Sequence, residues 1–520
     1  MNERVGMFEG HRIPRRRAGR TAWWRAWCAA SGTPATSARR FTGPSPIDIA
    51  KSGLGRVYAG AACKKTNRAQ PDVVVVGGGL AGLTAAYFLR QAGCPVTVYE
   101  ASTRLGGRVK TDPGALEPGV ISELGGEFID ATHLDMLALA MHYDLPLIDT
   151  HGSSEARLTD AYFIGGRHYS EADVAREFAD IAPLLAADAV AAGLAASVSY
   201  NRHNPHADAL DRLSIAEYLD RLGVSGWLRR LIDVAYLTEY GLETGDQSAL
   251  NLLTLIGTDA DADFAVFGDS DQRYKLKGGN EQIPQAIAGE LGSSIRTGHR
   301  LVRLRRDANG VRLNFDTDGA SREVRADAVV LALPFTLLRE VDLGDTLPPS
   351  KTQVIRELGY GQNAKLLIGT RRRVWREQGF GGDLYAELPF QTGWDGSRLR
   401  AGGRGVYTFF LGGDAGIALG RGTPEEHADR FAAQLDSVFP GVAAQRTGGA
   451  ARAHWPSEPY ALGSYSCYRP GQWTTLAGLQ RRRVGPIFFA GEHCSAEFQG
   501  YMNGAAKTGR EAAAGVLAAF

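Results

Sequence analysis

An α/β fold with a parallel sheet at its centre, and a second α+β region threaded through it in separate segments, follows from three features of this 520-residue chain. A β-branched run, Val73–Val76, leads directly into Gly77-x-Gly79-x-x-Gly82 and an apolar helical stretch. A second short run, Val96–Tyr99, follows and closes on Glu100. Far downstream, Ile487–Ala490 reads as another buried strand, trailed by Gly491-Glu492 and a last helical stretch from Asn503 to Leu517.

An unbroken β-branched run without alternation is the pattern of a strand covered on both faces. The spacing predicts a helix over 79–92, with Leu80, Leu83 and Tyr87 on one side and Gly93 as its stop. Strand, helix and strand make a βαβ start. From about 131 to 265 the apolar spacing is helical: Leu137–Tyr143, Glu171–Leu194, Ile215–Leu222 and Trp227–Tyr236. Ala161–Ile164 with Gly165-Gly166 reads as a hairpin among them. Strands return at Ile295–Leu304, Val311–Phe315, Val329–Leu333, Gln362–Gly369 and Gly405–Leu411, and Thr423–Phe439 reads as a helix. Two discontinuous units follow, one over 71–130, 270–345 and 456–520, the other over 131–269 and 346–455, with a ligand cleft between them.

Composition narrows the function classes. A formal net charge of +1 provides no field for nucleic acid. Basic triplets such as Arg371-Arg372-Arg373 read as solvated surface. The five cysteines (Cys28, Cys63, Cys94, Cys467, Cys494) are odd in number and scattered, so neither a disulfide framework nor a zinc site is expected. The histidines lack ligand spacing, and no metal is expected. No transmembrane helix is expected, since no apolar run reaches the length of a span. Residues 1–70 read as a disordered or signal-like leader. Arg15-Arg16-Arg17 before Trp23-Trp24 faintly suggests a twin-arginine export signal, but Arg25 interrupts the apolar run. A cytoplasmic location is the expectation, with export and a homodimer left open.

The glycine motif has a physical reading position by position. Gly77 makes the tight turn, Gly79 admits a pyrophosphate to the backbone, and Gly82 lets helix and strand pack. The helix N-terminus then faces the phosphate charge. Glu100 stands where an acid binds a ribose hydroxyl, which disfavours a 2′-phosphate. A lone GxGxxG is weak in a chain with 65 glycines; the flanking strand, helix and acid strengthen it.

Arg104-Leu105-Gly106-Gly107-Arg108 and Glu123-Leu124-Gly125-Gly126-Glu127 come next. With Phe488-Phe489-Ala490-Gly491-Glu492 and Gly500-Tyr501-Met502-Asn503-Gly504-Ala505, they resemble the flavin-dependent amine oxidase superfamily: monoamine, polyamine and L-amino acid oxidases. The resemblance covers about 71–515 and is densest at the two ends. It implies a Rossmann-like FAD-binding domain joined to a discontinuous α+β substrate-binding domain of the amine-oxidase type. It places Arg104, Gly107 and Arg108 at the pyrophosphate, and a guanidinium suits phosphate there. Gly125 and Gly126 lie along the flavin in the family, Gly491 and Glu492 at the ribityl chain, and Val302, Trp455 and Met502 around the cofactor.

The same resemblance makes Tyr465 and Tyr501 the two walls of an aromatic cage for the substrate amine. Each alone would read as a core tyrosine with a satisfied hydroxyl. Lys365, inside the apolar run 362–369, matches a lysine that holds a water at the flavin N5; a lysine snorkelling from an edge strand is the alternative. Trp375 supports that register. Ser464 stands where covalent relatives carry cysteine, so non-covalent FAD is expected. Cys467 falls past the flavin, and Cys494 is close enough in sequence to lie near it and alter oxygen reactivity.

The implied activity is oxidation of an amine to an imine, then to carbonyl and ammonia, with molecular oxygen reduced to hydrogen peroxide. An L-amino acid oxidase is the first alternative. It needs a carboxylate-binding cation, and the stretch Gly126–Asp130 has none, although Arg167 or Arg273 could serve. Glu239-Tyr240 and Asp269-x-Asp271 are candidates to recognise a second ammonium, or plain structural acids. A C–C desaturase, and a protein that holds FAD structurally, are remoter readings.

Overall fold

The computed structural model describes residues 70–155, 157–258, 265–400 and 402–520. The leader expected over 1–70 lies outside the described residues, residue 70 aside.

Val73–Val76 are all buried and form the middle strand of a five-stranded parallel sheet. Its order is Ile487–Phe489, Ala328–Leu331, Val73–Val76, Val96–Tyr99, Ile295–Arg296. A central strand covered on both faces has no polar side to show, which is why the run is unbroken valine. The helix Leu80–Gln91 packs on this sheet through Leu83, Ala85 and Leu89, all fully buried. A Cβ on Gly82 would stand 2.0 Å from the Gly77 carbonyl oxygen, so only glycine lets the helix leave the strand at this angle.

The C-terminal helix Met502–Ala519 lies against Leu80–Gln91 in the same apolar cluster. A Cβ on Gly509 would come within 2.2 Å of the Ala81 carbonyl oxygen. Thr508 ties this helix to the last strand: its hydroxyl receives the Gly491 N–H at 3.0 Å and donates to the Gly491 carbonyl at 2.9 Å. Arg510 meets Asp135 at 2.6 Å, both largely buried. The two sequence ends that carry the glycine motif and Gly491-Glu492 are therefore side by side.

A seven-stranded mixed sheet stands apart, ordered Arg446–His454, Ala364–Thr370, Gly405–Leu411, Thr392–Asp395, Phe380–Ala386, Thr159–Ile164, Arg167–Tyr169. Its neighbours are antiparallel except Thr159–Ile164 beside Phe380–Ala386. The hairpin at Gly165-Gly166 turns with φ of 61° and 76° at these glycines, a pair that the mirror-image turn demands. Helices between Glu171 and Leu255 close around Val174, Leu185, Tyr218, Leu231 and Tyr236. A three-stranded antiparallel sheet, Arg300–Asp307, Gly310–Thr317 and Ala320–Ala326, completes the architecture.

Two expected elements are divided. The helix expected over 171–194 is two, Glu171–Phe178 and Ala182–Ala192, because Pro183 has no N–H to donate back to the preceding turn. The strand expected over 295–304 breaks at Gly298, whose φ is 67°, so Ile295–Arg296 joins the parallel sheet and Arg300–Asp307 the antiparallel one. The strands Phe380–Ala386, Thr392–Asp395 and Arg446–His454 have glycine-interrupted sequences and carry no clear period-two signal. Among the described residues no helix is long and apolar enough to cross a membrane.

Gly509→Ala tests the helix contact that brings the two ends together. Overpacking against a backbone oxygen should cost about 1–3 kcal/mol, seen as a lower thermal midpoint; an unchanged midpoint would show that the contact is loose.

Candidate active site

A cavity of about 940 Å³ runs from the C-terminal edge of the parallel sheet to the face of the mixed sheet. The C-terminal edge is where open α/β sheets bind ligands. Fifteen of the residues singled out by sequence line it: Gly77, Gly79, Glu100, Arg104, Gly107, Arg108, Gly125, Gly126, Lys365, Trp455, Tyr465, Gly491, Glu492, Tyr501 and Met502. Gly82 does not, since its work is helix packing. Val302 does not either, and this corrects the expectation: it is the extra residue of a β-bulge between Leu301 and Arg303, with its side chain outward and 37% exposed, while Leu301 faces the cavity at 5%.

At the sheet end, Gly77 has φ of 107°, and a Cβ there would lie 2.6 Å from the Ala332 carbonyl oxygen. Glu100 accepts the N–H of Gly78 at 2.6 Å and of Ser102 at 2.8 Å. Burial lifts its pKa above the usual carboxyl range, against those backbone bonds. Arg104 is turned inward on its own loop. It donates to the carbonyls of Leu105 and Val109 at 3.0 Å, to that of Gly107, and pairs with Glu281 at 3.1 Å. It therefore holds the Gly106-Gly107 turn, and the phosphate-clamp assignment rests on Arg108 alone. Arg108 uses one nitrogen, Nη1, on the Ser464 carbonyl and on Glu492 at 3.0 Å. Its Nε and Nη2 have no acceptor among the described residues and remain available.

Glu492 is 4% exposed and gathers Arg108, the Ser466 N–H at 3.2 Å, the Ser466 hydroxyl at 2.8 Å and the Gly500 N–H at 2.9 Å. Burial alone would raise its pKa; Arg108, His493 and these hydrogen bonds outweigh that and hold it below the usual range. Gly126 lies under Met502, whose Cγ would be 2.8 Å from a Cβ. That contact, not backbone torsion, requires glycine there.

Lys365 is 4% exposed, on the strand Ala364–Thr370. Its three ammonium protons meet the Glu123 carbonyl at 3.2 Å, the Gly125 carbonyl at 2.9 Å and Glu127 Oε2 at 2.9 Å. Lys275 takes the other oxygen of Glu127 at 2.7 Å. Desolvation pushes Glu127 up, but the two lysines prevail and bring it down to about 2. Glu123 next to it is pushed up to about 7, mainly by burial. The edge-strand alternative is thus excluded, but so is a free lysine: holding a water means releasing one of three partners, and the Glu123 carbonyl is the longest. Trp375 is fully buried on Asp395 away from the cavity; Trp394, which the sequence reading missed, lies 5.0 Å beneath the Lys365 ammonium.

Tyr465 and Tyr501 are held by one residue. Tyr465 donates to the Glu239 backbone carbonyl at 2.5 Å, and Tyr501 to the Glu239 carboxylate at 2.9 Å. Tyr501 also packs edgewise on His133 at 5.1 Å. Burial and nearby Asp130 raise Glu239 to about 7, the Tyr501 hydrogen bond opposing them. Glu239 was a candidate for a distal ammonium; its place is at the paired tyrosines. Asp271 receives the Ala131 N–H at 2.9 Å and lines the cavity, whereas Asp269 does not.

No cysteine lines the cavity among the described residues. Ser464 does, with its hydroxyl on Asn363 at 2.6 Å. Cys494 is buried off it, its thiol pushed up to about 12 by burial. Of the arginines considered for a carboxylate, Arg273 is taken by Asp149 at 2.9 Å and Arg167 lies over Tyr169, and neither lines the cavity. Arg398 does line it, from a polar loop with no sequence signal, and it is paired with Asp383.

Fold and cavity together define a flavoprotein oxidoreductase, and the comparisons agree. The chain belongs to the flavin containing amine oxidoreductase family, whose model matches residues 80–517. It is 27% identical over 463 residues to an L-amino acid dehydrogenase of Synechocystis, covering 86% of this chain and 94% of the relative. It is 27% identical over 491 residues to a nicotine dehydrogenase of Pseudomonas putida, covering 92% and 96%. The structure of cyclohexylamine oxidase from Brevibacterium oxydans superposes with a TM-score of 0.75 at 25% identity, covering 86% of this chain and 99% of that one. The family implies FAD, and the residues present fit it: a glycine turn at a helix N-terminus, a spaced acid, and an arginine with unused donors in one cavity.

Because Glu239 binds Tyr501 as the carboxylate, kcat/KM should rise as pH passes through about 7, where Glu239 ionises. Glu239→Gln should abolish that limb of the pH profile; an unchanged profile would detach Glu239 from the site.

Proposed function

We propose that this protein oxidises amines, using non-covalently bound FAD, to imines that hydrolyse to a carbonyl compound and ammonia. The observation that carries this reading is the tyrosine pair held by Glu239 in the same cavity as Lys365, Gly126 and Met502. FAD, when bound, would supply the two-electron oxidising power, with oxygen as the final acceptor and hydrogen peroxide as its product. In the balance, the carbon–hydrogen bond next to nitrogen gives up a hydride equivalent and nitrogen loses a proton.

The chain's own residues do the rest. Gly77, Gly79, Glu100 and Arg108 hold the dinucleotide end, and Glu492 the ribityl chain; segments 71–130, 270–345 and 456–520 form that unit. The ring faces of Tyr465 and Tyr501 orient a neutral amine nitrogen. Enclosure of the site excludes water and favours the unprotonated amine. The helix Met502–Ala519 directs its N-terminal end into the cavity, where its dipole favours negative charge on a reduced flavin. Lys365 locks Glu127 and the Gly125 backbone beside it and exchanges its longest bond for a water. That no cysteine among the described residues lines the cavity supports non-covalent binding.

Amines are favoured over L-amino acids because Arg398, the arginine at the mixed-sheet end of the cavity, is already paired with Asp383, whereas Glu239 provides negative potential at the cage. The test is anaerobic mixing of the yellow protein with monoamines, diamines and L-amino acids. Bleaching by amines, with peroxide on readmitting air, is expected. Bleaching by L-amino acids alone would reassign the substrate; bleaching without reoxidation in air would make it a dehydrogenase.

Lys365→Met should slow turnover or flavin reoxidation while FAD is retained, since Glu127 keeps Lys275. Wild-type kinetics in that variant would remove Lys365 from the mechanism.

A further inference from the structure

The far end of the cavity carries charges that the reaction does not use. Glu155 is paired with Arg376 through two contacts, at 2.7 and 2.8 Å. Asp383 is paired with Arg398. Asp160 stands beside Asp383 because the strands Thr159–Ile164 and Phe380–Ala386 run parallel with Ala161 opposite Leu384. No hydrogen-bond donor and no cation among the described residues reaches the Asp160 carboxyl. The side chain is half-buried and lines the cavity. Burial, then Asp383, raise its pKa to about 8, Arg398 opposing. Glu155, Asp160 and Asp383 all line this end of the cavity, with Glu171 behind Asp160, and among the described residues Asp160 is the one of the three lining acids without an arginine at ion-pair distance.

The path from the tyrosine pair to Asp160 is aromatic. Tyr385 lies within electrostatic reach of both Glu239 and Asp160. It stacks on Tyr162 at 5.7 Å with the planes 8° apart, and meets Phe267 at 6.1 Å. All three rings line the cavity. Such walls suit an alkyl chain, and a half-buried carboxylate without an ion-pair partner suits a cation.

We propose that Asp160 is a subsite for a second cationic group, so that the preferred substrates are amines with an ammonium at each end of an alkyl chain. One nitrogen lies between Tyr465 and Tyr501, the chain runs along Phe267, Tyr385 and Tyr162, and the other nitrogen pairs with Asp160. This rests on the amine-oxidising reading above and names its substrate class. Asp383 and Glu155 remain committed to their arginines, which leaves the Asp160 carboxyl to pair with the distal cation.

The experiment compares straight-chain diamines with n-alkylamines of the same carbon number, by flavin bleaching and steady-state kinetics, in the wild-type holoenzyme and in Asp160→Asn and Asp160→Glu. The wild type should prefer a diamine of one chain length. Asp160→Asn should lower kcat/KM for that diamine roughly 10–100-fold, mainly through KM, since a charged partner is lost. Alkylamine kinetics and thermal midpoint should stay put, because the Asp160 carboxyl has no hydrogen-bond or ion-pair partner among the described residues to lose. Asp160→Glu should recover part of the diamine preference. Equal preference for alkylamines in the wild type, or equal loss on both substrates in Asp160→Asn, overturns the subsite while leaving amine oxidation standing. Failure of every amine to bleach the flavin overturns the underlying reading instead.

Discussion

The architecture depends on one buried carboxylate. Glu492 is almost wholly removed from water, and a bare charge there would cost several kcal/mol. It is tolerated because Arg108, Ser466 and Gly500 converge on it. Those partners come from the start, the late middle and the end of the described chain. Satisfying this one charge therefore requires the two ends of the parallel sheet, the loop carrying Tyr465 and the entrance to the last helix to be in place together. The same requirement positions Ser464 and Tyr465 on one side and Tyr501 and Met502 on the other. The glycines follow from it: with helices and loops so close, a Cβ at Gly82, Gly125 or Gly509 would overlap a carbonyl oxygen.

A second buried network is built on the same logic with the opposite balance. Glu127 is shared by two lysines and is held far toward the ionised form. Glu239 has only a tyrosine hydroxyl and lies near neutrality in its ionisation. The contrast is one of compensation, since both are buried. A fully compensated pair fixes geometry, and here it fixes the backbone of Gly125 through Lys365. A partly compensated acid remains responsive to what enters the cavity. Asp160, whose carboxyl has no hydrogen-bond or ion-pair partner among the described residues and only the more distant pull of Arg398, is the extreme of that series. The cavity is thus graded from locked charges at one wall to available ones at the other, on a scaffold that relatives use for different nitrogen-bearing substrates.

The βαβ start, the last strand and the final helix were legible because each has a local cause: an unbroken β-branched run, a glycine motif, a helical apolar face. The Gly165-Gly166 hairpin was legible for the same reason. Strands such as Thr392–Asp395 were not, since they draw their stability from neighbours and carry no period of their own. Val302 shows the limit within a strand that was expected: a bulge at that residue turns its side chain outward, and no local sequence pattern marks the bulge.

What the sequence by itself determined is the kind of protein and the motif residues that line part of the cavity. Glycines that admit phosphate, an acid at ribose spacing and a serine in place of a cysteine are chemical statements that need no coordinates. What only the tertiary structure decided is what each charged group is doing. Arg104 and Arg108 look alike in sequence, yet one folds back on its own loop and the other keeps donors for a ligand. Glu239, Arg398 and Asp160 lie in stretches without a motif, and their meaning comes from partners far away along the chain. Covalent order encodes which groups are present; whether a charge is satisfied depends on distances between segments hundreds of residues apart, and only the folded chain sets those.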